Sequence, residues 1–329
     1  MTIKQLAEEI RKADNVLITT HVSPDPDTIG SGLGLRYMLR SLGKTAYAVC
    51  PEPLNEWLCR LFGEQPLLDG EAIAVARFTP GYIISTDVPD KGRLGGCLEK
   101  YRPGGEVDLA IDHHTTGVPF AKLSYIDPAA AAAGQIVYEL AKELGVKIDR
   151  ELARLLYTAI SDDSGSFKYS LTSPATLRAA AELISTGFDF AAQCRLLYDS
   201  KTRLQLEIER MGYNNMAYFC GGRVCVVCID KKAKKAASLE GVPLENMSFI
   251  NNLSRSAGGV EVGVTLREAE DAETETYKIS LRSNEYADVS ALAARFGGGG
   301  HARAAGATIQ GSVEEVRALL LTEIEKILR

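Results

Sequence analysis

At 329 residues, with 46% hydrophobic and 24% charged, the chain is long enough for two globular cores, which excludes a disordered or fibrous protein. A formal net charge of −6 argues against a large footprint on duplex nucleic acid but leaves room for a nucleotide-sized ligand in a local basic pocket. No apolar run approaches a membrane span, and the N-terminal residues read as an amphipathic helix rather than a signal peptide, so residence in the cytoplasm away from membranes is expected.

Seven cysteines, an odd number, suggest reduced thiols in a reducing compartment. Cys220, Cys225 and Cys228 invite a metal reading. A strand over 223–229 would turn Cys225 and Cys228 to opposite faces, however, and no fourth Cys or His lies nearby, so packing is the expected role.

In chain order, residues 15–20 (Asn-Val-Leu-Ile-Thr-Thr) form the first strand, followed at once by His21-Val22-Ser23-Pro24-Asp25-Pro26-Asp27. The two prolines hold that loop open, and Gly30, Gly32 and Gly34 are expected to let the next helix pack close to the sheet. An apolar run at 81–86 ends in Asp87. A second, Leu109-Ala110-Ile111, ends in Asp112-His113-His114 and reads as a buried parallel strand opening into a loop. A helix over 151–160 then leads into the polar turn Ser161-Asp162-Asp163-Ser164-Gly165-Ser166-Phe167. Singly, each of these polar endings is an ordinary turn or helix cap. Together they weigh more: three of the four histidines, His21, His113 and His114, stand beside acids at strand ends, where ligands of open α/β sheets bind.

Oxygen and imidazole donors without thiolates suit hard or borderline divalent cations, favouring Mn²⁺ over Zn²⁺ and admitting Mg²⁺. There are donors enough for two ions. A pair about 3.5–4 Å apart fits phosphate-ester hydrolysis, with a bridging hydroxide attacking phosphorus.

Ser173-Pro174 opens a helix that Gly187 closes, and a long helical stretch over 190–211 is expected to be a rigid linker. Strands are expected at 223–229, 259–266 and 275–282. Lys231, Lys232, Lys234 and Lys235 read as the solvated face of a short helix rather than a phosphate patch. Beyond them, Gly297-Gly298-Gly299-Gly300-His301-Ala302-Arg303 would let backbone N–H groups converge on an anion, with His301, Arg303 and Arg282 adding charged donors. The fold class expected is α/β: an N-terminal domain with a mainly parallel sheet flanked by helices, a helical linker, and a smaller C-terminal α/β domain with a mixed sheet.

In this order, His21-x-x-Pro24-Asp25-x-Asp27, Asp87, Asp112-His113-His114 and Asp163-Ser164-Gly165-Ser166-Phe167 resemble the four motifs of the DHH phosphoesterase superfamily. Gly298-Gly299-Gly300-His301 is similar to the signature of the DHH-associated C-terminal domain of its RecJ-like branch. The resemblance implies a metal-dependent phosphoesterase domain over 1–188, a linker over 189–218 and a substrate-binding domain over 219–329. It implies two divalent ions, Mn²⁺ foremost, one held by His21 and Asp25, the other by Asp27, His113 and Asp163, with Asp87 bridging. Asp112 would act by orienting His113, His114 would face the scissile phosphate, and Arg282, Gly298, Gly299, Gly300, His301 and Arg303 would hold the substrate across the cleft. Where the family commonly has Thr-Asp-Thr-Gly this chain has Asp162-Asp163-Ser164-Gly165, so Asp162 is the fallback ligand.

A compact chain without sensory modules is most similar to the NrnA-type members. These are nano-RNases that release mononucleotides from short oligoribonucleotides or linear dinucleotides, and many dephosphorylate 3′-phosphoadenosine 5′-phosphate (pAp). The expected partners are those substrates, not duplex nucleic acid or a membrane, and a homodimer is left open. Cyclic di-AMP hydrolysis is the nearest alternative activity, and a non-catalytic nucleotide-binding regulator the alternative of another class.

Overall fold

The computed structural model describes residues 1–63, 77–114, 118–269, 272 and 274–329, which form two units, Met1–Ser200 and Lys201–Arg329. In the first, α1 (Ile3–Lys12) is started by a Thr2–Gln5 capping box and buries Leu6, Ala7 and Ile10. Five strands follow, β1 (Val16–Thr19), β2 (Ala46–Val49), β3 (Tyr82–Thr86), β4 (Leu109–Asp112) and β5 (Leu123–Ile126), in the spatial order β2-β1-β3-β4-β5 and all parallel. The three central strands carry Val, Ile and Leu with almost no exposure, as a sheet covered on both faces requires. Their carboxyl ends are level, Thr19 beside Ser85 and Thr86 beside Ile111, so whatever follows each strand is delivered to one edge.

Around the sheet lie α2 (Pro26–Ser41), α3 (Glu56–Phe62), α4 (Ala133–Glu143), α5 (Arg150–Asp163), α6 (Pro174–Ser185) and α7 (Phe190–Cys194). Only Gly32 of the α2 glycines meets the sheet, beside Thr20 and Thr86. Gly30 and Gly34, four residues apart and so on one helix face, instead admit α5: a methyl group on Gly30 would lie 2.7 Å from the Leu155 carbonyl oxygen. Asp162 and Asp163, expected in a turn, form the last turn of α5.

The long helix expected over 190–211 is interrupted. After α7 comes one π turn (Arg195–Asp199) and extended Ser200, and a new helix α8 (Arg203–Asn214) starts on a Thr202–Gln205 capping box. Thr202 and Gln205 satisfy each other's amides, which favours a fresh start over continuation.

The second unit has a mixed six-stranded sheet, β10-β11-β9-β8-β7-β6, built from β6 (Met216–Phe219), β7 (Val224–Ile229), β8 (Val262–Glu268), β9 (Thr276–Ser283), β10 (Gly299–His301) and β11 (Ala304–Gln310). Only β7 and β8 run parallel. Short helices α9 (Lys231–Ala236) and α10 (Val289–Ala294) and the terminal α11 (Val313–Glu325) complete it. Cys225 and Cys228 pack into separate cores on opposite faces of β7, as their spacing requires. The lysine run is not uniformly solvated: Lys234 is buried and donates its Nζ to the Val242 carbonyl at 2.7 Å.

Candidate metal centre

Each polar ending singled out in the sequence of the first unit arrives at the carboxyl edge of the parallel sheet. His21 leaves β1; Asp25 caps α2 by accepting the Thr28 N–H at 3.0 Å, and Asp27 sits buried in its first turn. Asp87 leaves β3 in a left-handed conformation, φ +61°, anchored by its N–H donating to Ile111 O at 2.9 Å. His113 and His114 leave β4, and α5 brings Asp163. The helix stops there because Gly165, Ser166 and Phe167 are all left-handed, a turn held by Phe167 N–H donating to Ser164 Oγ and by the Lys168 and Tyr169 N–H groups donating to Ser164 O.

The donors then converge. His21 Nε2 lies 3.5 Å from Asp25 and 3.3 Å from Asp87; His113 Nε2 lies 3.8 Å from Asp27, 3.5 Å from Asp87 and 3.3 Å from Asp163. His114 Nδ1 is 3.6 Å from Asp87. These form three groupings able to hold a cation: His21, Asp25 and Asp87; Asp27, His113 and Asp163; and Asp87, His113 and His114. Asp87 belongs to two of them, and Asp162 to none among the described residues.

Electrostatics point the same way. Burial pulls the His21 imidazole down, but its contacts with Asp25 and Asp87 outweigh this and raise it to about 10. His113, likewise opposed by burial, is raised to about 10 by Asp87, Asp27 and Asp163. Burial and repulsion from Asp87 and Asp25 push Asp163 up to about 7 against the pull of His113. Burial and repulsion from Asp87 and Asp163 hold Asp27 well above the usual carboxylate range, against the pull of His113. Asp87 Oδ1 is buried and accepts no hydrogen bond. A buried carboxylate oxygen without a donor is costly, and in a cluster of oxygen and imidazole donors a divalent cation is the group that satisfies it.

A second layer holds these donors in place. His21 Nδ1 is 2.8 Å from Val22 O and His113 Nδ1 is 3.3 Å from Ala130 O. Asp112 was expected to orient His113. Its Oδ1 instead lies 2.8 Å from Nδ1 of His114 and accepts the His113 and His114 backbone N–H groups, because the Ala130 carbonyl already occupies the His113 ring nitrogen. Asp27 also accepts the N–H groups of Ala133 and Gly134 at 2.7 and 2.9 Å, tying α2 to the start of α4. That contact was not foreseen; its trace in the sequence is the alanine run ending at Gly134, small residues where two helices and a carboxylate meet.

In the second unit the glycine run is no open turn. Gly298 donates its N–H to Ala293 O, and Gly299, Gly300 and His301 pair with Gly306, Ala305 and Ala304 in a hairpin. Side chains are excluded sterically: a Cβ on Gly298 would collide with Gly306 O, and one on Gly300 would lie 2.5 Å from Ala304 O. Arg282 pairs with Ala304 across β9 and β11, and Arg303 Nη1 donates to Ala287 O at 2.9 Å. The expectation for the His301 side chain lies outside the described residues.

Comparison with known proteins agrees with this geometry. Residues 15–160 match the model of the DHH family, N-terminal domain, and residues 232–329 that of the DHHA1 domain. A protein of Thermus thermophilus named bifunctional oligoribonuclease and PAP phosphatase NrnA is 33% identical over 93% of this chain and 88% of its own length. The chain belongs to the DHH family. A second DHH relative, from Bacillus subtilis and bearing the same name, is 28% identical over 96% of both chains. Among solved structures, an exopolyphosphatase-related protein from Bacteroides fragilis superposes with a TM-score of 0.85 at 26% identity, covering 98% of this DHH chain and 95% of the other.

Proposed function

We propose that this DHH protein is a two-metal phosphoesterase that hydrolyses short oligoribonucleotides and linear dinucleotides to mononucleotides and also removes the 3′-phosphate of pAp. The observation that carries the reading is Asp87, a buried carboxylate common to two groupings of hard donors, one oxygen of which accepts no hydrogen bond. The names of the relatives from Thermus thermophilus and Bacillus subtilis support the substrate class.

His21 and Asp25 would hold one ion and Asp27, His113 and Asp163 the other, with Asp87 shared; Mn²⁺ suits these donors best. Such a pair supplies an activated water at neutral pH and neutralises charge on the phosphoryl oxygens. The chain's own residues do the rest. Asp112 holds the His114 ring through Nδ1, and His114 is the residue assigned to face the leaving oxygen of the substrate. Asp27 keeps α2 and α4 in register beneath the centre. Arg282, Gly298, Gly299, Gly300, His301 and Arg303 are assigned to substrate binding. No helix among the described residues is long and apolar enough to cross a membrane, and all seven cysteines are free, which supports work in the reducing cytoplasm.

Product analysis of the purified, Mn²⁺-loaded protein with pApA, a labelled five-residue RNA, cyclic di-AMP and pAp in parallel tests the proposal. Mononucleotides from the linear substrates and AMP from pAp are expected. Preference for the cyclic compound would replace the reading with cyclic-dinucleotide hydrolysis, and tight binding without turnover would make the protein a regulator.

A further inference from the structure

Beside the metal centre stands a cation that the assignments above leave without a role. Arg93 lies in a 3₁₀ turn (Lys91–Leu94) after β3, where Asp90 caps the Gly92 N–H at 2.8 Å. Its backbone carbonyl accepts the Val22 N–H at 2.8 Å, and Gly95 packs so closely on the same loop that a Cβ there would meet Val22 Cγ1 at 2.5 Å. The turn is therefore clamped to the segment that carries His21. From it the Arg93 guanidinium reaches back, with Nη2 3.0 Å from Nδ1 of His21. That is the side-chain hydrogen bond Arg93 makes among the described residues, and its Nε is buried without an acceptor.

The contact is in conflict with another. The same Nδ1 lies 2.8 Å from Val22 O, a carbonyl that can only accept. One ring nitrogen cannot both donate to a carbonyl and accept from a guanidinium. When Nε2 of His21 gives its lone pair to a cation, the remaining proton of the neutral ring sits on Nδ1, as is usual for metal-bound imidazoles. Nδ1 then donates to Val22 O, and Nη2 of Arg93 faces a second donor. The half-buried guanidinium is left with a buried Nε that has no acceptor and an Nη2 from which His21 cannot accept, beside the candidate metal centre. Leaving such donors unmet is costly, and the planar fork of an arginine fits phosphate oxygens.

We propose that Arg93 is a substrate-binding residue that holds a non-bridging phosphate oxygen beside the His21 end of the metal centre. The inference deepens the phosphoesterase reading and rests on it. Arg93→Gln removes the charge and the fork; Arg93→Lys keeps the charge and loses the fork. Inorganic phosphate binding to the Mn²⁺-loaded proteins would be measured by calorimetry, Mn²⁺ binding to each by paramagnetic resonance, and KM and kcat on pAp.

The glutamine variant should bind phosphate about ten- to a hundredfold more weakly, the scale of a hydrogen bond to a charged group, with the lysine variant between it and wild type. Both should keep wild-type Mn²⁺ stoichiometry and affinity, and KM should rise by more than kcat falls. Unchanged phosphate affinity in the glutamine variant would overturn the proposal. So would parallel loss of Mn²⁺ affinity in both variants, which would make Arg93 an organiser of His21. If phosphate binding depends on Arg93 while no nucleotide is cleaved by wild type, the assignment of Arg93 stands and the proposed substrates fall.

Discussion

Replacing Gly30 by alanine adds one methyl group where α2 meets the backbone of α5, and the result can be worked out from the distances. The new carbon would lie 2.7 Å from the Leu155 carbonyl oxygen and 3.0 Å from Ala159 Cβ, against the 3.4–4 Å of ordinary contact. Neither neighbour can rotate away, since one is backbone and the other a methyl on a helix, so the helices must part by several tenths of an ångström. Alanine gains about 0.8–1 kcal/mol in helix propensity, while overpacking a buried contact costs about 1–3 kcal/mol. Overpacking against backbone wins here, for a net loss of up to about 2 kcal/mol and a fall in Tm of up to roughly 4–8 °C for a unit of this size. The site should suffer more than the fold: α2 carries Asp27 and α5 carries Asp163, and a misplacement approaching 1 Å can cost on the order of a hundredfold in rate. Gly34→Ala provides the internal control. Its methyl would meet Leu156 Cδ2 at 2.6 Å, the end of a side chain that can turn, so it should melt within about 0.5 kcal/mol of wild type. Thermal melts by circular dichroism and Mn²⁺ titrations on the two variants test this. A Gly30→Ala protein as stable as wild type with undiminished Mn²⁺ affinity, or a Gly34→Ala protein that is worse, would refute the argument.

The centre should also respond to pH. His21 and His113 are raised to about 10 in the metal-free protein, so their contribution to its stability is full below the unfolded value of about 6.5 and is lost as pH rises through 10. A cation must displace those protons, so Mn²⁺ affinity should climb between pH 6.5 and 10, about tenfold per unit for each proton released; an affinity that stays flat over that range would count against the ligand set. Asp87→Asn keeps a residue type that tolerates φ > 0, so its circular dichroism should match wild type while Mn²⁺ affinity falls at least about a hundredfold and turnover is abolished. Between the neighbouring acids, Asp163→Asn should lose Mn²⁺ at one of two sites, as counted by paramagnetic resonance, whereas Asp162→Asn should retain both; the reverse result would reassign the ligand.

The strands and the donors were legible because their signals are local. A run such as Leu109-Ala110-Ile111 ending in Asp112-His113-His114 announces a buried strand and its exposed end together. The edge strands β2 and β5 carried no comparable signal: Ala46-Tyr47-Ala48-Val49 is mostly small residues, and Leu123-Ser124-Tyr125-Ile126 lies half exposed at the sheet's margin. Pairwise features across the fold were harder still. That Asp27 would cap α4, that Asp112 would hold His114 rather than His113, and that Arg93 would reach His21 all depend on which segments the strand order makes neighbours. The hairpin formed by the glycine run in the second unit was hidden for another reason. Glycine suits an open turn and a close-packed strand equally well, and only the pairing of Gly299 with Gly306 shows that these residues form a strand.

The donors of the centre are drawn from four separate segments, and the last of them, Asp163, terminates α5. During synthesis the ribosome has made nearly half the chain before the set is complete. A polypeptide that ends early, from a damaged message or a stalled ribosome, lacks one oxygen donor and keeps three acids crowded against one another. A cation held by all four segments would therefore stabilise complete copies and not copies that end before Asp163.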